Sequence, residues 1–94
     1  MLKQVWKFPL SLQLSENEVP MPKGSSLLWF AMQNEVPCLW ALGDPTAETV
    51  VRTFCIFGTG HSLYDAETLV YIGTAFHGPF VWHCFERKQE GGTA

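Results

Sequence analysis

The sequence has 94 residues, of which 47% are hydrophobic, so it can form one hydrophobic core but not two. Only six residues are Lys or Arg and the net charge is −3, which disfavours nucleic acid as a partner because binding to a phosphate backbone needs a cationic surface. No apolar run approaches the roughly 20 residues that span a bilayer. The N-terminal segment also lacks the continuous apolar stretch of a signal peptide. We therefore predict a cytoplasmic protein without a nucleic-acid or membrane partner.

The cysteines and tryptophans add two expectations. The three cysteines each lie in an apolar run typical of a strand, which indicates buried thiols in a reducing compartment. Four tryptophans cannot all be fully buried in so short a chain, so some are expected to line an interface or a pocket. These residues are Cys38, Cys55, Cys84, Trp6, Trp29, Trp40 and Trp82.

The first half of the chain predicts short strands with intervening turns. Residues 3–8 alternate in polarity as a half-buried strand does. Residues 12–19 run into two prolines, Pro20 and Pro22, which restrict this segment to a sheet edge or a loop. Residues 27–33 and 36–42 are the two most apolar runs, and only Asn34 and Glu35 separate them. This spacing predicts a tight hairpin, although Glu35 suits a positive φ poorly.

The second half continues the same pattern. Residues 48–57 predict a strand and residues 62–68 one helical turn, while residues 69–76 and 80–86 predict a hairpin across His77-Gly78-Pro79. No segment shows a sustained apolar period of 3.6 residues, so a long helix is not expected. The sequence therefore predicts an all-β fold, a small antiparallel sandwich or partly open barrel of about six or seven strands. We expect a single domain over residues 1–88 and a disordered tail over residues 89–94.

Two predicted strands are apolar on both faces. Alternation places Leu27, Trp29 and Ala31 opposite Leu28, Phe30 and Met32, and the following strand is apolar on both faces in the same way. One face of an antiparallel sheet is normally solvated and polar. A second apolar face needs a cover, and a homodimer, a higher homo-oligomer or a partner protein would supply it.

The segment from Arg52 to His61 is the strongest candidate for a ligand site. A strand carrying Arg52 leads directly into Gly58-Thr59-Gly60-His61, and glycines allow backbone to approach a ligand closely. The junction can form an anion-binding concavity, with Arg52, Lys7 or Lys23 supplying charge and Trp40 a stacking ring. The alternative is a simple turn with an exposed histidine. A third glycine and a following helix are missing, which excludes the dinucleotide-binding fingerprint.

Other constellations give weaker signals. Arg52 is either a residue at the rim of the sheet, the preferred interpretation, or a buried cation with a carboxylate, phosphate or aromatic partner. His83 and Cys84 point to opposite faces of one strand, and no pair of cysteines or histidines has zinc-ligand spacing, so no metal or other cofactor is predicted. Nothing marks a nucleophilic cysteine or a pair of catalytic carboxylates, so a non-enzymatic role is expected.

A series of short motifs, taken together, resembles a family of short phage and prophage proteins of uncharacterised function. The resemblance spans residues 7–86, and the present chain has Asn34-Glu35 where that family tends to have Asn-Gly. The motifs are Lys7-Phe8-Pro9-Leu10, Met21-Pro22-Lys23-Gly24, residues 36–42 (VPCLWAL), Arg52-Thr53-Phe54, Gly58-Thr59-Gly60-His61, Tyr71-Ile72-Gly73-Thr74 and residues 82–86 (WHCFE).

A phage context implies a binding protein acting inside an infected bacterial cell. The favoured prediction is a counter-defence protein that sequesters a small nucleotide-like immune signal through Arg52, the glycine junction and tryptophans. One alternative is an inhibitor that binds a host defence protein, for example a CRISPR effector, through an exposed aromatic patch. Another is a structural or accessory phage protein without a ligand.

Overall fold

The protein is an all-β molecule of two antiparallel sheets, as predicted. The computed structural model describes residues 2–88. Sheet A has the strand order β1-β4-β3 and sheet B the order β2-β5-β7-β6, and one short 3-10 helix precedes β6. The strands are β1 (Gln4–Pro9), β2 (Asn17–Pro22), β3 (Ser26–Gln33), β4 (Val36–Gly43), β5 (Thr49–Gly58), β6 (Leu69–His77) and β7 (Phe80–Arg87), and the 3-10 helix is Ala66–Thr68. The tail predicted over residues 89–94 lies outside the described residues.

The predicted hairpins are present and the proline-containing strand is at an edge. Asn34 and Glu35 join β3 to β4 with φ of 53° and 66°, the conformation of a type I′ turn. β6 and β7 are joined across Gly78 and Pro79, where Gly78 has φ of 58°. β2 is an edge strand of sheet B and pairs only with β5. Prolines are tolerated at an edge because a proline lacks an N–H, and no second strand on the outer side requires one.

A β-bulge changes the predicted faces of β3. Leu27 pairs with Ala41 and Trp29 pairs with Trp40, so Leu28 is the extra residue between them. Sequence alternation placed Leu27 on the face of Trp29, and this was wrong because one inserted residue reverses the alternation. Leu27 in fact packs against the core, whereas Trp29 is 65% exposed. A second bulge lies at Ile72 in β6.

The core lies between the two sheets. β3 approaches β6 so closely that a Cβ atom on Gly73 would lie 3.3 Å from the Cβ of Phe30, so a glycine allows the sheets to meet here. The three cysteines are free and buried, as expected. No tryptophan is fully buried, since Trp29 is exposed and the other three are half-buried. The main cluster of buried side chains consists of Leu10, Val19, Met21, Phe30, Leu39, Phe54, Ala75 and Cys84.

Residues 2–88 include no helix with the length and apolar character needed to cross a membrane.

Candidate functional site

A surface pocket lies at the end of sheet B where β5 ends and the β6–β7 hairpin turns. Gly58 pairs with Trp82 in the register of β5 and β7, which brings the glycine junction beside the start of β7. The pocket has a volume of about 250 Å³. Its lining combines a glycine turn with an aromatic wall, and the residues are Gly58, Thr59, His61, Pro79, Phe80, Val81 and Trp82. Three of the predicted site residues therefore share one pocket.

The glycine junction folds back on itself and fixes the ring of His61. The Gly58 N–H donates to His61 Nδ1 over 3.1 Å, and the His61 N–H donates to the Gly58 carbonyl over 3.1 Å. A Cβ atom on Gly58 would lie 3.0 Å from His61 Cε1, so a side chain at this position would push the ring aside by a few tenths of an ångström. Gly60 has φ of 92°, a conformation that L-residues rarely adopt, and it completes the turn.

Aromatic rings form the opposite wall of the pocket. Phe80 and Trp82 are two residues apart on β7, and their rings stack with centroids 6.1 Å apart and an interplanar angle of 26°. His61 meets Trp82 edge-on at 6.4 Å. Phe80 is 58% exposed, so much of its ring remains accessible to a ligand. The Nε1–H of Trp82 is buried and has no acceptor among residues 2–88, which is an unfavourable arrangement for an indole N–H.

Thr59 connects the pocket to a chain of polar side chains on the outer face of sheet B. Its N–H donates to the Val81 carbonyl over 3.3 Å, which holds the turn against β7. Its hydroxyl lies 2.8 Å from His83 Nε2, and His83 Nδ1 lies 3.0 Å from the Thr74 hydroxyl. The Tyr71 hydroxyl lies 2.6 Å from that of Thr74 and ends the chain. The orientation of the Thr59 hydroxyl therefore depends on the proton positions of His83.

Arg52 is not at this pocket. It lies six residues before Gly58 on β5, which corresponds to about 20 Å of extended chain. Its Nε and Nη2 donate to the two carboxylate oxygens of Glu86 at 2.6 and 2.8 Å, and Nη1 donates to the Ser25 carbonyl at 2.7 Å. The Arg52 and Glu86 side chains are only 19% and 17% exposed. The preferred rim interpretation of Arg52 was wrong, because the guanidinium is largely enclosed and has a carboxylate partner.

Trp40 and Lys23 are also distant from the glycine junction. Trp40 lies on the outer face of sheet A, where its ring is 5.8 Å from that of Trp29. Lys23 follows β2, whose last residue pairs with Thr49 at the beginning of β5, so it lies at the end of sheet B opposite to Gly58. The predicted site residues are thus divided among the pocket, the Arg52–Glu86 pair, the turn after β2 and sheet A.

Phe80, Val81 and Trp82 were missed as site residues. The sequence predicts their strand and the hairpin before it, but it does not show that β7 pairs with β5. That register alone places Trp82 beside Gly58. The usable signal was the two aromatic residues two positions apart immediately after the Gly78-Pro79 turn, since they must lie on one face at the same end of the strand.

The cysteines lie away from the pocket and are poorly suited to react. Burial raises the pKa of the Cys84 thiol to about 12, and burial also raises the pKa of Cys55. Within residues 2–88, no three His, Cys, Asp or Glu side chains are grouped closely enough to hold a metal ion.

The fold and the pocket define a small β-sandwich with a surface pocket made from a glycine turn and an aromatic wall. The whole chain, residues 1–94, matches the family described as "Domain of unknown function (DUF7352)", and the protein belongs to this family. The comparison with curated proteins and the comparison with solved structures found no match.

Proposed function

We propose that the protein is a non-enzymatic binding protein that captures a small nucleotide-like ligand in the pocket between residues 58–61 and 79–82. The observation that carries this proposal is the stacked Phe80–Trp82 pair facing a tight glycine turn. Aromatic side chains bind flat rings, and stacking of a base on such a side chain contributes about 1–3 kcal/mol. On the opposite wall Gly58 carries no side chain, and the His61 ring packs against its backbone.

The biological setting that fits this role is an infected bacterial cell. The motifs of the sequence resemble those of short phage and prophage proteins, and such proteins without catalytic groups often act by binding. The proposed purpose is counter-defence in the host cytoplasm, in which the protein removes a nucleotide signal of an immune system. A protein that binds the signal without converting it needs only a binding pocket and a sufficient concentration of protein.

Native mass spectrometry tests ligand capture directly. Purified protein is mixed with extract from bacteria whose nucleotide-signalling defence is active, re-isolated and measured without denaturation. We expect an added small-molecule mass. Phe80→Ala should lose it, because the substitution removes the exposed stacking ring.

Phe76→Ala is the matched control. Phe76 is on the same hairpin and is 72% exposed, but it does not line the pocket. Retention by the Phe76→Ala variant together with loss by the Phe80→Ala variant supports the proposal. Equal retention by both variants, or no retained mass in the unmodified protein, contradicts it.

We further propose that a second copy of the chain covers the outer face of sheet A, as a homodimer. Trp29 and Trp40 form a tilted aromatic pair on this face, and the exposed Val5 on β1 and Val36 at the start of β4 lie on the same face. On this face the Lys7 ammonium donates to the Gln33 side chain at 2.7 Å. Apolar faces of this kind are typical of interfaces between subunits.

Sedimentation velocity tests the homodimer. Trp29→Ser should convert a dimer into a monomer, while Phe76→Ser on the other sheet should leave the dimer intact. A monomeric unmodified protein overturns the dimer proposal. If that monomer binds a host defence protein through Trp29, the face serves the alternative function of an inhibitor. If it binds neither a ligand nor a protein, a structural or accessory role remains.

A further inference from the structure

We infer that the pocket selects the uncharged base of its ligand and makes no use of phosphate, so that a nucleoside binds as tightly as the corresponding nucleotide. This inference rests on the proposed binding function and defines the ligand more narrowly. Three observations carry it: the hydrogen bond that Gly58 donates to His61, the hydroxyl of Thr59, and the composition and size of the pocket.

The hydrogen bond from Gly58 sets which ring nitrogen of His61 can donate to a ligand. Its Nδ1 accepts the Gly58 N–H over 3.1 Å, and a ring nitrogen that accepts a hydrogen bond carries no proton. In the neutral ring the proton is then on Nε2, and no hydrogen bond among residues 2–88 uses that atom. The turn therefore leaves Nε2–H as the donor that His61 can offer to a ligand.

Thr59 supplies a second hydrogen-bonding group that adapts to the ligand. When His83 Nδ1 accepts from Thr74, Nε2 donates to Thr59, and the Thr59 hydroxyl hydrogen is available to a ligand acceptor. In the opposite arrangement Thr59 donates to His83 and presents only a lone pair. Base edges carry carbonyl and ring-nitrogen acceptors as well as amino donors, so both arrangements have partners on a base.

The pocket is small and its described lining is uncharged apart from any charge on His61. Of the seven described residues that line it, none is Lys, Arg, Asp or Glu. Of the basic candidates, Arg52 lies nearer the other end of β5 and is paired with Glu86. Lys23 follows β2 at the end of sheet B opposite to Gly58. Pockets for drug-sized ligands typically measure about 300–1,000 Å³. A volume of about 250 Å³ therefore suits a single ring system, with sugar and phosphate outside.

The test compares adenosine, guanosine, cytidine and uridine with their 5′-monophosphates and with inorganic phosphate, by NMR titration of the ¹⁵N-labelled full chain. We expect at least one nucleoside to bind, with a dissociation constant within about threefold of that of its monophosphate, since the phosphate adds no contact. Inorganic phosphate alone should shift no pocket signal. His61→Phe, which keeps a ring but removes the donor, should weaken binding about tenfold, the effect of one lost hydrogen bond.

His61→Gln is the matched variant, because its side-chain amide keeps a donor in a position similar to Nε2, and it should retain binding better than His61→Phe. Binding of monophosphates without binding of nucleosides overturns this inference but leaves the proposed function standing. Equal binding by the two His61 variants also overturns the inference. If no nucleoside or nucleotide shifts the pocket signals, both the inference and the proposed function fail.

Discussion

At the scale of single residues, Arg52 shows how a candidate binding residue can be a structural one. Its guanidinium forms a bidentate pair with Glu86 and a third bond to the Ser25 carbonyl, so it connects β5 to β7 and to the segment before β3. Bidentate pairs of this type are the geometrically specific ones. The exposure of both side chains is below one fifth, so solvent weakens the pair less than it would at the open surface.

Arg52→Ala should therefore lower the free energy of unfolding by about 1–3 kcal/mol, because it leaves the Glu86 carboxylate largely buried without its partner. Urea denaturation of the purified protein measures this change. The double variant Arg52→Ala/Glu86→Ala should lose less than the sum of the two single variants. Unchanged stability together with lost ligand binding would show that Arg52 contacts the ligand instead.

Cys84 gives a prediction for alkaline pH. Burial raises the pKa of its thiol from 9.0 to about 12, so between these values the unfolded chain releases a proton that the folded protein keeps. Because the unfolded state then binds fewer protons, stability is full below about pH 9 and falls as the pH rises toward 12. The loss should be about 3 kcal/mol by about pH 11.

Comparison of the unmodified protein with Cys84→Ala isolates this effect, since the other titrating groups are common to both. The variant should be less stable near pH 8 because a buried side chain is truncated, but its decline with pH should be shallower. Parallel declines in the two proteins would exclude Cys84 as the cause.

At the scale of elements, the β3–β4 turn is locally strained. Glu35 has φ of 66°, a left-handed conformation that costs an L-residue about 1–2 kcal/mol and costs glycine almost nothing. Glu35→Gly should therefore raise the free energy of unfolding by about 0.5–1 kcal/mol, after the greater entropy of glycine in the unfolded chain is subtracted. Thermal unfolding followed by circular dichroism measures it.

Glu18→Gly is the control for this substitution, because Glu18 is exposed on the regular strand β2 and the same change should destabilise the protein there. A decrease in stability from Glu35→Gly as well would show that the turn tolerates glutamate without strain.

The strands, hairpins and edge strand were readable from the sequence because each depends on local signals. Alternating polarity predicts the strands, Asn34-Glu35 predicts the turn of a hairpin, and the prolines of β2 predict an edge position. The bulge at Leu28 could not be predicted from the sequence, because an inserted residue is recognised only from how Leu27 and Trp29 pair with β4. One such insertion was enough to place Leu27 on the wrong face.

At the scale of the whole molecule, the site depends on pairing between distant parts of the chain. The glycine junction was identifiable from its composition, but its aromatic neighbours come from β7, which follows β5 by more than twenty residues. The same pairing places Glu86 beside Phe54 and within reach of Arg52. The Arg52 guanidinium, which was expected to contact a ligand, is therefore paired with the Glu86 carboxylate. Pairing of non-adjacent strands is set by the packing of two sheets and has no local sequence signal.

The most direct test of the central claim is a map of backbone amide chemical shifts during titration with the nucleoside that binds best. We predict that the largest changes fall on residues 58–61 and 79–82. Lys23 and Arg52 at the other end of sheet B, and Trp29 on sheet A, should remain unchanged. Changes centred on Arg52 and Lys23, or on the Trp29–Trp40 face, would contradict the assignment of the pocket as the binding site.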